Sequence, residues 1–141
     1  DYLVNRFRKP TPRIDLGKGL NGIANSAADV SDGLLADLRH ICEASGVYAE
    51  IYLNDIPISS EAESIIKNDI DSRIELLSGG DDYELVLAVP SENLEAFHKI
   101  IKKHPLPITE IGAITEGKVI AVIDESGTQV NWKGSGYRHF F

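Results

Sequence analysis

One hundred and forty-one residues are enough for one domain with a proper core and too few for two. A hydrophobic share of 43% and a charged share of 26% belong to an ordinary soluble domain. No apolar run is long enough to span a membrane, so no membrane partner is expected. A net charge of −8 argues against a nucleic-acid partner, whose phosphates an acidic surface repels, yet it leaves room for phosphate ligands bridged by a divalent cation.

The charge is uneven. Residues 1–20 carry five basic residues (Arg6, Arg8, Lys9, Arg13, Lys18) against two acidic ones, and the rest carries nine against twenty. Residues 1–25, with two prolines, three glycines and no sustained period, read as a lead-in or linker with at most one short helix. The domain proper is expected over residues 26–141. The basic opening reads as a solvated linker to a further domain, with an anion-facing arm as the alternative. The absence of methionine makes a piece of a longer protein the expectation. Cys42 is the sole cysteine, which sets a reducing, cytoplasmic compartment as the default.

Along the chain, "NSAADV" suits a short strand. From Gly33 onward, Leu34, Leu35, Leu38, Ile41 and Cys42 fall on one helical stripe, with Gly46 as a stop. Cys42 on that stripe reads as core filler. "VYAEIYL" alternates as a strand, and "SEAESIIK" opens a helix that Ser60 would cap. "DSRIELLSGG" gives a short helix ending in a glycine pair, and "YELVLAVP" (83–90) gives the strongest strand. "SENLEAFHKIIKKH" reads as a capped helix with Leu94, Phe97 and Ile101 inward. "ITEIGAIT", "KVIAVI" and "TQVNW" follow as three short strands in an antiparallel-looking run. Interleaved strands and helices of this kind predict a mixed α+β layered domain.

Three groups carry candidate chemistry. In "ADVSDG", Asp29 and Ser31 of an extended segment would point the same way, with Asp32 at the turn into the helix. These oxygens suit Mg²⁺ beside a phosphate at the helix start; on spacing alone, plain capping by Ser31 or Asp32 with Asp29 solvated is the plainer account. The spacing is not that of an EF-hand, since the fifth residue from Asp29 is the glycine and the twelfth is His40. In "SGGDDYEL", two glycines would allow a positive-φ turn that delivers Asp81 and Asp82 to a strand; a hydrophilic turn with solvated acids accounts for it equally well. "GSGYRHF" places Tyr137 and His139 after glycines, as a lid or as an aromatic tail on the core. The chain has no P-loop, CxxC, HExxH or nucleophile-elbow pattern.

Together the segments "RKPTPR", "DVSDGLLADLRHICEASGVYAEI", "GGDDYEL" and "GYRHF" resemble, in this order, the C-terminal domain of the thiamine-monophosphate kinases, within the wider aminoimidazole-ribonucleotide synthetase superfamily. The resemblance implies an α/β/α layered, partly ferredoxin-like domain on a mixed sheet. It implies an enzyme that moves the γ-phosphoryl of ATP, with Mg²⁺, to thiamine monophosphate. By matched position Asp29 and Asp32 are metal ligands and Ser31 touches ATP. Asp81 stands where the family has a substrate-contacting glutamate, one methylene longer, and Tyr137 takes the aromatic place against thiamine. The family's N-terminal domain, which bears most acidic ligands and the homodimer contacts, lies outside this sequence, so the 141 residues alone are expected to be nearly inactive. The rival expectations are another ATP-dependent member of the superfamily and a non-catalytic ligand-binding or assembly domain.

Overall fold

A computed structural model describes residues 2–67, 69–117 and 120–132. The opening of the chain departs from the sequence reading. It forms two helices, α1 (Tyr2–Arg8) and α2 (Ile14–Gly19), where at most one was expected. Helix α2 buries Leu16, and Leu20 just beyond it, against Phe97. Three apolar residues at that spacing were too few to register as a period; it is tertiary packing that holds this short helix.

Strand β1 (Ser26–Asp29) pairs antiparallel with β3 (Leu85–Ala88), Asp29 opposite Leu85 and Ser26 opposite Ala88. The remaining strands form a mixed four-stranded sheet in the order β4-β2-β5-β6. They are β2 (Tyr48–Tyr52), β4 (Gly112–Thr115), β5 (Ile120–Ile123) and β6 (Gln129–Val130). The expected antiparallel run at the end is only partly present. Strand β5 does pair antiparallel with β6, but β2 lies between β4 and β5, antiparallel to the first and parallel to the second. Burial explains the insertion. Ile120, Ala121 and Val122 are all buried, as an interior strand's residues must be, and Ala49 and Ile51 of β2 close the layer beside them.

Helix α3 (Leu34–Ser45) lays Leu35, Leu38 and Cys42 on that layer, with Val30 and Val86 from the two-stranded sheet in the same cluster. Its stripe and its stop are as the sequence indicated; Gly46 is left-handed, and its N–H donates to the Cys42 carbonyl. Strand β3 is packed on both faces, with Val86 buried and Leu85 and Leu87 partly so. Val86 points to the main cluster, and Leu85 and Leu87 meet α2 and α6 (Leu94–Ile101) in the second. In α6 the inward residues are Phe97, Ile100 and Ile101, whereas Leu94 is exposed because a short 3₁₀ turn over Ser91–Asn93 shifts the helix start.

Helices α4 (Ser60–Ile66) and α5 (Ile70–Leu77) are each capped from the residue before them. Ser59, not Ser60, accepts the Ala62 N–H, and Asp69 accepts that of Ser72. The fold is thus α+β with a mixed sheet. Among the described residues no helix is long and apolar enough to cross a membrane.

Candidate functional site

The site begins where β1 runs out. Asp29 is its last residue and lies on the exposed side of the alternation, while Val30 turns into the core. Ser31 and Asp32 form the bend before α3, and Gly33 occupies the cap position with φ +110°, a conformation that favours glycine. Neither Ser31 nor Asp32 caps the helix; the cap position makes no side-chain hydrogen bond. The helix start is instead served from inside. Asp37 Oδ2 accepts the backbone N–H of Ser31 at 2.9 Å and of Asp32 at 3.1 Å. Sequence reading missed Asp37. The available signal was an acid three residues after Leu34 and four before Ile41, at the apolar stripe where a charge needs a partner.

The glycine-acid loop closes onto this bend. Asp81 N–H donates to the Ser31 carbonyl at 2.9 Å, and the N–H groups of Asp82 and Tyr83 donate to the Val30 carbonyl at 3.1 and 3.3 Å. Val30 N–H returns a bond to the Glu84 carbonyl at 2.8 Å. Two motifs fifty residues apart in the chain therefore make one site. A Cβ added at Gly80 would sit 2.2 Å from the Ser31 carbonyl oxygen, so the glycine is required by close approach. Neither Gly79 nor Gly80 has positive φ. The left-handed residues are Asp81 (φ +65°) and Tyr83 (φ +58°). Asp tolerates this region, Tyr less so, at a cost of about 1–2 kcal/mol per residue. Such strain collects at binding sites, where surrounding bonds hold it in place.

The same loop is gripped by the N-terminal helices. Arg13 is bidentate on Glu84, Nε to Oε2 at 2.8 Å and a terminal nitrogen to Oε1 at 2.6 Å. Arg6 adds a third bond to Oε1 at 2.9 Å and donates to the Asp82 carbonyl at 3.3 Å. Two of the five opening basic residues are thus committed to this loop, rather than to solvent or to a ligand anion. The hydrogen bond to Glu84 raises the Arg13 guanidinium further above its ordinary value. Although Asp82 as a residue is exposed, its carboxyl is pushed up. Loss of surrounding water is the main cause and Glu84 the next, with Arg6 opposing.

Asp29, Ser31, Asp32 and Asp81 are therefore gathered around one bend, and Tyr137 lies outside the described residues. Among the described residues no three or more acids, histidines or cysteines form a group that could hold a metal. Two carboxylates with a hydroxyl between them do suit Mg²⁺ in chemistry, since that ion keeps several waters and is commonly held by one or two carboxylates plus phosphate oxygens. By number alone they fall short of the six ligands that ion takes. An open depression of about 630 Å³ lies apart from these acids, between α2 and the outer side of β1, lined by Lys18, Asn21, Asn25 and Ala27 among others.

The mixed-sheet α+β fold and its paired acidic turns define a class. The family described as AIR synthase related protein, C-terminal domain, matches residues 3–125, and the chain belongs to it. Within that class the chain is similar to thiamine-monophosphate kinases. The thiamine-monophosphate kinase of Haemophilus influenzae is 42% identical over 144 residues, covering 99% of this chain and 43% of that protein. The crystal structure of thiamine-monophosphate kinase from Stenotrophomonas maltophilia K279a matches with a TM-score of 0.77 at 42% identity, over 84% of this chain and 37% of that one. AaThiL complexed with AMPPCP and TMP matches with a TM-score of 0.76 at 35% identity, over 99% of this chain and 41% of that one. The chain spans about two-fifths of the length of these relatives.

Proposed function

We propose that this chain is the C-terminal part of a cytoplasmic, Mg²⁺-dependent kinase that transfers the γ-phosphoryl of ATP to thiamine monophosphate. The observation that supports it is the backbone-to-backbone closure of residues 80–83 on residues 30–31, which brings the segment of Asp29, Ser31 and Asp32 and the loop of Asp81 to one bend. The match to AaThiL complexed with AMPPCP and TMP supports the choice of ligands. In this reading Asp29 and Asp32 hold Mg²⁺, Ser31 offers its hydroxyl to the nucleotide, and Asp81 faces the thiamine phosphate side. Tyr137 would lie against the thiamine ring.

A phosphate oxygen of thiamine monophosphate attacks the γ-phosphorus in line. The bond to the β–γ bridging oxygen breaks, and thiamine diphosphate and ADP are the products. When bound, Mg²⁺ neutralises charge on the transferring phosphates. The chain's own contribution is positioning. Asp29 and Asp32 sit on the two sides of a bend whose backbone is fixed, so little reorganisation is needed as charge develops. Asp81, shorter than a glutamate, would reach its ligand group through a water. The remaining metal ligands and the homodimer contacts belong to the N-terminal domain of the full-length protein.

The test is thiamine diphosphate formation from thiamine monophosphate and Mg²⁺–ATP, assayed on the full-length protein and on residues 1–141 alone. Turnover by the first and not by the second is expected. Asp29→Asn in the full-length protein should cost about 10-fold or more, as lost metal-site residues do. A full-length protein without this activity, or a 141-residue chain with all of it, would refute the assignment.

A further inference from the structure

We propose that Asp37 is a positioning residue for the nucleotide half of this site, acting through the backbone of Ser31 and Asp32 without touching a ligand; the inference rests on the kinase reading above. Asp37 is only 7% exposed, on the packed side of α3. A carboxylate is a costly choice for such a place unless it is fully used, since burying a charge is repaid only through hydrogen bonds. Side chains of a helix lean toward its N-terminus, which lets this first-turn residue reach back over the cap to the bend.

Two consequences follow. The N–H groups of Ser31 and Asp32 are already occupied by this chain's own carboxylate, so they are not open to a phosphate. The carbonyls of Val30 and Ser31 are occupied from the opposite side by residues 81–83. The bend is thus held on its donors by Asp37 and on its acceptors by the glycine-acid loop. A ligand is left to the side chains of Asp29, Ser31 and Asp32, whose directions those bonds determine.

The experiment uses the full-length protein with AMPPCP and Mg²⁺, the dissociation constant read by calorimetry, alongside the Michaelis constants for ATP and thiamine monophosphate. Asp37→Ala should weaken Mg²⁺–AMPPCP about 10-fold or more and raise KM for ATP in proportion, with KM for thiamine monophosphate within about 2-fold. Asp37→Asn keeps an acceptor oxygen and should stay within about 3-fold of wild type. Leu38→Ala is the control: buried on the same helix, it lowers stability, yet below its Tm it should bind the nucleotide like wild type. If Asp37→Ala does not fold, Asp37→Glu carries the test, since its displaced carboxylate should weaken the nucleotide while the charge remains. Unchanged nucleotide affinity in the variant that folds, or an equal loss in Leu38→Ala, overturns the proposal. Wild-type protein that fails to bind Mg²⁺–AMPPCP overturns the kinase reading first and this inference with it. Wild-type binding with an indifferent Asp37 variant overturns this inference alone.

Discussion

Gly80→Ala is the most direct probe of the junction between the two acidic turns. The added Cβ would lie 2.2 Å from the Ser31 carbonyl oxygen and 3.2 Å from its carbon. The obstacle is backbone, which cannot rotate aside as a side chain does, so the two segments must part by about 1 Å to restore ordinary contact. Three hydrogen bonds of 2.9, 3.1 and 3.3 Å cross that gap. Losing one or two of them costs about 0.5–1.5 kcal/mol each, and overpacking adds about 1–3 kcal/mol. Reduced freedom of the unfolded chain returns about 0.4–1 kcal/mol. The net expectation is about 2–4 kcal/mol, or roughly 8–16 °C in Tm for a domain of this size. Gly22→Ala supplies the comparison: its φ is +75° and nothing lies within 4 Å, so only the dihedral penalty of about 1 kcal/mol applies. Thermal and urea unfolding of both variants measures the difference. A Gly80→Ala protein no less stable than Gly22→Ala would refute the close approach and, with it, the single site.

Ser59→Ala should cost about 1 kcal/mol through the lost cap of α4, whereas Ser60→Ala should stay within about 0.5 kcal/mol, as urea midpoints can show. Arg13→Ala removes a two-bond grip on Glu84 and should cost about 1–2 kcal/mol, allowing for the partial exposure of Glu84; Arg6→Ala, which removes one bond to that carboxylate, should cost less in the same unfolding assay. The raised carboxyl of Asp82 binds its proton more tightly folded than unfolded. Wild-type stability from this group therefore falls as pH rises from the ordinary carboxylate value through the raised one, and stays low above it. Asp82→Asn should accordingly raise Tm at about pH 7 and lose that advantage near pH 3, where both states are protonated. An advantage independent of pH would show that the raised carboxyl is not its source.

The sequence carried the local parts of this structure well. The stripe and glycine stop of α3 and the apolar run of β3 are each contained within a dozen residues, where periodicity and turn chemistry operate. Pairing across long separations was not legible. Nothing in "KVIAVI" says that its neighbour is β2 rather than β4, because that depends on which faces remain to be covered once α3 has docked. The two glycines of "SGGDD" do bring the acids to the turn before β3, through close approach rather than positive φ. They looked like sites for positive φ, yet the left-handed residues are Asp81 and Tyr83, and Gly80 is required by the carbonyl of a residue 49 positions earlier. Asp37 and Glu84 escaped notice for a related reason. In a chain with twenty-two acids, one that satisfies the fold internally looks like one that meets solvent until its donors are located.

That distinction separates the acids into two roles. Asp37 and Glu84 are turned onto the chain's own donors, the first onto two amides and the second onto two guanidiniums. Each secures one side of the junction, and neither carboxylate is free to take a ligand without breaking it. Asp29 and Asp81 are exposed at the same junction, and Asp32 is half-buried there. In the reading proposed above, Asp37 and Glu84 fix the backbone, and the acids that do not are the ones left to meet a cation and phosphate oxygens. A solubilising surface would have no need of the positive-φ strain at Asp81 and Tyr83, nor of a glycine held against a carbonyl, to keep its acids in place.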